Sequence, residues 1–503
     1  MKKKRRQFGA TLTIVIVIFA VMLASYILSL IGFSGSKTEI THSFLESSII
    51  SINNILSVDG FRFIIGSFVS NLNFFAPLAI FLVALISASI VESSGIIKKL
   101  VAPYRKINNF ILTTIVVFVS MVSVFFGEYT FLLLMPIFAL IYKELGRNPL
   151  LGLLTVFLAI TVGFSTGVFV NYYDFILSET TQKVANITLD PTYGFNLYAY
   201  MYVKVISLFA LTFLLSYLIE KFLTKNIPKP AEEVEEIEFL KNESKALKLS
   251  LSFFIIYVGS IIYALIPNTW GSQVLLDMSE DLYVAKLFSE TSPFNEGAFL
   301  FILLGFAITS YIYGTLTSKY KEVKDFSSGF SKHFQGMGET FVLIFFISQL
   351  IAILDWTNIG KVISVKLIEI MSVLEFTGAP LIILLFVFTF IIGLLITSTV
   401  EKWELMSPIA VPLFMKANFT PEFAQIIFRA ADGVSKAFTP LFPYYIILLG
   451  FIKKYNNERP ITLFGAVRLM APILLIMIGA WLVILLMFYI IGMPIGPEVF
   501  PTL

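Results

Sequence analysis

Windows of apolar residues, each long enough to cross a bilayer, recur along the chain at about 11–33, 73–92, 108–127, 150–173, 200–220, 249–267, 297–317, 339–355, 379–399 and 469–493. A span needs roughly 20 such residues, and inside lipid only a helix satisfies every backbone group of the run, so each window predicts a transmembrane helix. The polar stretches between them divide into two kinds. Segments at about 34–60, 175–198 and 268–296 are long enough for short interfacial helices and carry no chemistry. The acidic, proline-bearing run from Pro228 to Glu238 predicts a solvated cytoplasmic connector at 225–248, between a half covering 1–224 and a half covering 249–503.

Composition agrees with this pattern. Hydrophobic residues make up 57% of the 503-residue chain and charged residues 14%, with a mean hydropathy of +0.88, whereas soluble domains hold about 25% charged residues. The fold class expected is an all-α polytopic membrane protein. The basic head Lys2-Lys3-Lys4-Arg5-Arg6 looks like the start of a signal peptide, but the apolar run behind it is too long and lacks a small-residue cleavage site, so it reads as an uncleaved first span. With a cytoplasmic N-terminus, 25 of the 36 Lys and Arg residues fall inside, eight fall outside, Lys204 among them, and Lys402, Arg429 and Lys436 lie at membrane depth. The absence of cysteine, and the placement of His42 and His333 in connecting segments, leave disulfides, thiolate metal sites and intramembrane histidine catalysis unsupported, so no enzyme and no cofactor is expected. A net charge of +3 gives no reason to invoke nucleic acid.

Arg429 and Asp432 stand out against this background, because a charge at bilayer depth costs at least about 2.5–3.5 kcal/mol and persists where function or a partner requires it. Two parts of the chain also repeat. Gly127-Glu128-Tyr129 through Pro149 can be laid on Val400-Glu401-Lys402-Trp403 through Pro421, and Gly163-Phe164-Ser165 on Gly433-Val434-Ser435. Each copy has a span, an acidic break, a short apolar arm, a Pro-marked turn and a Gly/Ser-interrupted segment, and the charge bias brings the first in from the cytoplasm and the second from outside. Inverted repeats with discontinuous helices mark secondary transporters, so two re-entrant hairpins are expected, near 128–148 and 380–420, with broken transmembrane helices. Thr420 before Pro421 reads as an N-cap with Pro at the first helical position. Thr439-Pro440 and Pro443 end that helix, which predicts unpartnered carbonyls near 434–436. Small and hydroxyl residues collect at the tips: Gly163, Ser165, Thr166 and Gly167 in one copy, Thr397, Ser398 and Thr399 in the other.

The second half resembles the p-aminobenzoyl-glutamate transporter (AbgT) family in Lys402-Trp403, Pro408 with Pro412, Pro421-Glu422, Arg429 with Asp432, and Pro440-Leu441-Phe442-Pro443-Tyr444. The first half is similar to it in Val91-Glu92-Ser93-Ser94-Gly95, in Leu145 to Leu150, and in Gly163-Phe164-Ser165 with Asp174; the tail from Gly492 to Pro497 also fits. The resemblance runs in order from about 73 to 497. It implies a homodimer in the bacterial cytoplasmic membrane and a small-molecule substrate, p-aminobenzoyl-glutamate or, as efflux, sulfonamide drugs. It also implies functional roles for Asp174, Trp403, Arg429, Asp432, Pro421 and Pro440.

Chemistry gives these positions work. The Arg429 guanidinium forks onto an anion, Trp403 offers a face to an aminobenzoyl ring, Asp432 holds the cation in the empty site, and Asp174 carries a coupling proton. Ser165, Ser398 and Glu401 complete the candidate set. Simpler readings stand beside these: an intrahelical Arg429–Asp432 pair, Trp403 as packing, Glu128 and Glu401 as helix caps, Lys402 and Lys436 snorkelling or pairing with those acids, and Asp174 as a solvated boundary charge.

The chain also departs from the family. Ser398-Thr399-Val400-Glu401 stands for Ser-Ala-Ser-Ala, Gly127-Glu128-Tyr129-Thr130-Phe131 for Ser-Asp-Ala-Gly-Tyr, and Gly167 and Gly393 for two asparagines. The lost amides weaken a sodium site, and Glu401 bears on substrate charge. The expected function is a proton-motive secondary transporter of an aromatic or amino-acid-derived organic anion. The alternatives are a sodium-coupled dicarboxylate or short-chain organic acid carrier of the same architecture, and a passive channel.

Overall fold

The computed structural model describes residues 9–41, 44–227, 242–269, 271–456 and 462–503; the basic head, His42 and the connector stretch 228–241 lie outside them. The first half runs α1 (Ala10–Leu30), β1 (Ser34–Thr41), β2 (Phe44–Ser51), α2 (Val58–Ser67), α3 (Leu78–Ser94), α4 (Ile96–Val101), α5 (Asn109–Val122), α6 (Tyr129–Glu144), α7 (Pro149–Val162), α8 (Tyr172–Thr188), α9 (Met201–Leu218) and α10 (Thr224–Asn226). The second half runs α11 (Glu243–Ala264), α12 (Tyr283–Phe288), α13 (Pro293–Leu316), α14 (Val323–Gly329), α15 (Gly338–Thr357), α16 (Ile359–Val373), α17 (Gly378–Gly393), α18 (Thr399–Lys416), α19 (Pro421–Ser435), α20 (Pro443–Tyr455) and α21 (Gly465–Ile491).

Every apolar window coincides with a helix. Among the described residues seven helices are long and apolar enough to cross a membrane, and an eighth candidate is a pair bent by 65° where α3 meets α4. The bend sits at Gly95, whose φ of +75° favours glycine. Two windows gave helices that fall short: α7, with 14 residues, extends about 21 Å at 1.5 Å per residue, against roughly 30 Å of hydrocarbon, and α17 has 16 residues.

These short helices belong to two interrupted units, α5 to α8 and α17 to α20. In each, a helix meets a break (123–128 or 394–398), an arm (α6 or α18), a Pro-started helix (α7 or α19), a second break (163–171 or 436–442) and a closing helix (α8 or α20). The sequence dictates the starts: Asn148 accepts from Leu150 N ahead of Pro149, and Ser398 accepts from Glu401 N. α5 packs on α7 as α17 packs on α19, while α8 lies against α18 and α19, and α20 against α6 and α7. The units thus exchange their closing helices across one core.

Three expectations change. The 34–51 stretch is an antiparallel β-hairpin, in register from Ser34 opposite Ser51 to Thr41 opposite Phe44, and not an interfacial helix. The β-branched residues Thr38, Ile40, Thr41, Ile49 and Ile50 suit strands, and β1 finds a surface on α16 and α18. The 175–198 stretch is mostly α8, packed into the core rather than lying at an interface. Thr420 heads α19, but its side chain does not cap it: Oγ1 donates to Phe500 O at 2.9 Å and the amide to Pro501 O at 3.0 Å. The same tail reaches the first half, where the amides of Tyr202 and Val203 donate to Ile495 O at 3.0 and 3.2 Å.

Candidate functional site

The breaks bring together charges that lie far apart in sequence. α7 stops at Val162, and the chain turns through 163–171 until Asn171 starts α8 with a capping box: Asn171 Oδ1 accepts from Asp174 N at 3.0 Å and Asp174 Oδ2 from Asn171 N at 2.9 Å. That box fixes the Asp174 carboxylate inside the protein. There it pairs with Lys204 of α9 at 2.5 Å and with Arg429 of α19, all three being at most 1% exposed. Arg429 Nη2 also donates to Phe164 O at 2.9 Å, and Lys204 Nζ to Phe169 O at 2.5 Å. Both acceptors are carbonyls of the break.

A second cluster forms at the other unit. Asp432 pairs with Lys402, accepts from Thr399 Oγ1 at 2.7 Å and lies 3.7 Å from Lys436 Nζ. Lys436 reaches across to Glu128 at 2.7 Å, donates to Thr397 O at 3.0 Å, and lies 4.8 and 5.0 Å from the Phe164 and Phe442 ring centres. Among the described residues these two clusters hold four cations, Lys204, Lys402, Arg429 and Lys436, against three carboxylates, Glu128, Asp174 and Asp432. Counted in their ordinary ionised forms, the two clusters together therefore hold one cation in excess.

A neutral chain of hydrogen bonds runs beside them. Trp403 Nε1 donates to Thr181 Oγ1 at 2.9 Å, Thr181 Oγ1 to Gln425 Oε1 at 2.5 Å, and Gln425 Nε2 to Tyr200 OH at 2.7 Å. The Trp403 ring lies 4.5 Å from that of Phe428.

Two of three cavities reach the second cluster. One of about 280 Å³ is bounded by Glu128, Tyr129, Tyr173 and Tyr444, and one of about 270 Å³ by Thr397, Ser398, Glu401, Asp355 and Lys361. A third, of about 390 Å³, lies beneath the β-hairpin between Lys37, Lys183, Glu401 and Glu404. Lys436 joins the first two, since its Nζ binds Glu128 on one wall and Thr397 on the other. Trp403, Arg429, Asp432 and Asp174 line none of the three.

Of the residues singled out in the sequence, Asp174 with Arg429 and Asp432 with Lys402 meet in the core, while Ser398 and Glu401 stand exposed on cavity walls. Ser165 is buried and its Oγ makes no hydrogen bond. Pro421 is the buried first residue of α19, and Pro440 lies half-buried in the 436–442 break.

Four readings are corrected. Arg429 pairs with Asp174 and not with Asp432, because the break carbonyl of Phe164 and the α8 start lie on its side of α19 while Lys402 and Lys436 take Asp432. Asp174 is not a solvated boundary charge, being fully enclosed at the start of α8. The carbonyls of Val434 and Ser435 are not free, since the amides of Ala437 and Phe438 take them at 3.2 and 3.0 Å. Lys204, counted as an outer cation, is buried at 1% exposure.

Lys204 could have been found from its place four residues into the 200–220 window, whose one other charge is Glu220 at the far end. Thr181, Gln425 and Tyr200 gave no such signal. Among the described residues no cluster of three or more His, Cys, Asp or Glu side chains forms a metal site.

Comparisons with known proteins agree with this architecture. The AbgT putative transporter family matches residues 9–503. The p-aminobenzoyl-glutamate transport protein of Escherichia coli (strain K12) is 25% identical over 495 residues, covering 98% of this chain and 94% of its own. The MtrF structure from Neisseria gonorrhoeae, described as illuminating a class of antimetabolite efflux pumps, is 26% identical with a TM-score of 0.51 and covers 98% of both chains. The YdaH transporter of Alcanivorax borkumensis, reported to have an unusual topology, is 24% identical with a TM-score of 0.50, covering 97% of this chain and 99% of its own.

Proposed function

The chain belongs to the AbgT putative transporter family, and from that premise we propose that it moves p-aminobenzoyl-glutamate, or a related aromatic, amino-acid-derived organic anion, by alternating access driven by the proton motive force. The observation that carries this reading is the excess of one cation in the buried clusters. An unbalanced charge out of water is strongly unfavourable, and two events relieve it: arrival of a carboxylate-bearing solute, or release of a proton by one of the lysines. A site balanced either by the anion or by loss of a proton links the two, which is what proton coupling requires. Arg429 is the candidate fork for the anion, and Asp174, paired with Lys204, the candidate relay through which that lysine's proton leaves, each reached once the breaks separate.

The aromatic part of the solute has a fitting environment in the cavity bounded by Tyr129, Tyr173 and Tyr444, and the Trp403 and Phe428 pair lies deeper. The name of the Escherichia coli relative supports the glutamyl substrate, and the description of MtrF supports efflux of antimetabolites. A homodimer in the bacterial cytoplasmic membrane, N-terminus inside, completes the proposal.

Purified protein in proteoliposomes tests it. Saturable flux of radiolabelled p-aminobenzoyl-glutamate or sulfonamide is expected under an imposed pH gradient, with collapse of the gradient stopping concentrative uptake. Absence of flux of either solute under any gradient rejects the reading, and competition by citrate or succinate turns it towards a dicarboxylate carrier.

A further inference from the structure

Interrupted helices leave backbone carbonyls without partners, and in transporters these carbonyls and the adjoining half-helix ends are where a coupling cation is held. Here the carbonyls of the breaks meet side chains. Phe164 O accepts from Arg429 Nη2 at 2.9 Å, Phe169 O from Lys204 Nζ at 2.5 Å, and Thr397 O from Lys436 Nζ at 3.0 Å. Each of these cations also faces a carboxylate: Asp174 for Arg429 and Lys204, and Glu128 with Asp432 for Lys436. A carbonyl and a carboxylate around one positive centre is the donor set that a small hard cation takes.

The surroundings are shaped to the side chains. A Cβ on Gly167 would stand 3.6 Å from Lys204 Cε, so any longer side chain there competes with the lysine for space. A Cβ on Gly393 would stand 2.9 Å from Lys402 Nζ and collide with Ser435. Gly167 and Gly393 are the two positions where amides are absent relative to the family pattern; Lys204 lies against the first, and Lys402, which shares Asp432 with Lys436, against the second.

We propose that tethered ammonium groups, Lys204 at the first break and Lys436 at the second, permanently occupy the positions that would otherwise bind sodium, so that this protein neither binds nor requires that ion. A sodium ion entering either place would meet a fixed like charge a hydrogen bond's length from its ligands. Coupling then falls to protons exchanging within the array, whose charged members are Glu128, Asp174 and Asp432 facing Lys204, Lys402, Arg429 and Lys436, with the Tyr173 hydroxyl beside them. The inference deepens the transporter reading and rests on it for purpose, but its test does not use transport.

The test is the thermal unfolding midpoint of the purified full-length protein in sodium chloride and in choline chloride at equal ionic strength. The wild-type midpoint is expected to be the same in both salts. Lys204→Asn and Lys436→Asn, which replace the ammonium by a neutral amide, are expected to gain a midpoint that rises with sodium concentration and saturates, as binding to the folded state requires. A saturable sodium-dependent rise in the wild type overturns the proposal, whatever the variants do, and so do folded variants that show no sodium response. A variant that does not fold leaves the wild-type comparison to decide. Failure to transport any solute would count against the proposed function while leaving these midpoints to be read.

Discussion

Asp174 serves three partners at once, the α8 start, Lys204 and Arg429, and its loss and that of Arg429 differ in consequence. Asp174→Ala leaves two buried cations facing each other, for which about 3–5 kcal/mol of destabilisation is expected, whereas Arg429→Ala leaves Asp174 still paired with Lys204 and costs less. Both are expected to abolish flux, with the ranking read from thermal unfolding; equal midpoints for the two variants would contradict the triad. His333 gives a separate prediction. Burial pushes its imidazole below its ordinary value, against the pull of Glu92 at 3.0 Å, with Lys332 and Lys454 adding to the depression. A histidine held neutral in the fold but free to protonate when unfolded lowers stability as pH falls below its ordinary value of about 6.5 and continues to do so down to its folded pKa. His333→Gln should flatten that part of the stability profile, and an unchanged profile would show that other groups produce it. The charged residues of α19 were legible because an apolar background made them visible. Their partners were legible only in part: pairing of Lys436 with an acid such as Glu128 was among the simpler readings, and the two meet across 308 positions, whereas Arg429 joins Asp174 in place of the expected intrahelical pair.

At the scale of elements, the breaks were legible wherever a backbone rule applied. Pro149 and Pro421 start helices, and Pro443 starts α20 after the 436–442 break. Which carbonyls the breaks would release was not, because turn hydrogen bonds at 437 and 438 intervened. The 34–51 hairpin was also missed: its strands are short, polar and mostly half-buried or exposed, so only their docking against α16 and α18 identifies them. Close approach of α19 to α7 depends on Gly433, where a Cβ would stand 2.5 Å from Phe164 Cβ and 2.7 Å from Thr161 O. Gly433→Ala should therefore cost about 1–3 kcal/mol and reduce flux by displacing Arg429 and Asp432 together. An alanine variant with wild-type stability and flux would show that the two helices have room to spare.

For the whole molecule, the exchange of closing helices between the two units makes one core of two repeats, and Lys436 sits where cavities from different sides approach. Alternating access predicts that these cavities open in turn. Because the chain has no cysteine, Tyr129→Cys and Ser398→Cys provide single reporters on the two walls. Conditions of solute and pH that raise labelling of one by a membrane-impermeant maleimide should lower it at the other; simultaneous labelling of both would favour a channel. The overall class was legible from hydropathy alone, whereas ten windows gave seven or eight helices of spanning length among the described residues, and the joining of the halves depended on residues hundreds of positions apart. One such joint is the strand-like tail from Ile495 to Leu503. Thr420 precedes its partner Phe500 by 80 residues, so during synthesis the α18–α19 turn emerges long before anything exists to fasten it. α19, α20 and α21 must all be inserted first, and the latch closes late. A nascent chain arrested in that interval would present α19, whose Glu422, Arg429 and Asp432 are all buried in the finished fold, with one end loose, the form that membrane quality-control proteases are best placed to seize.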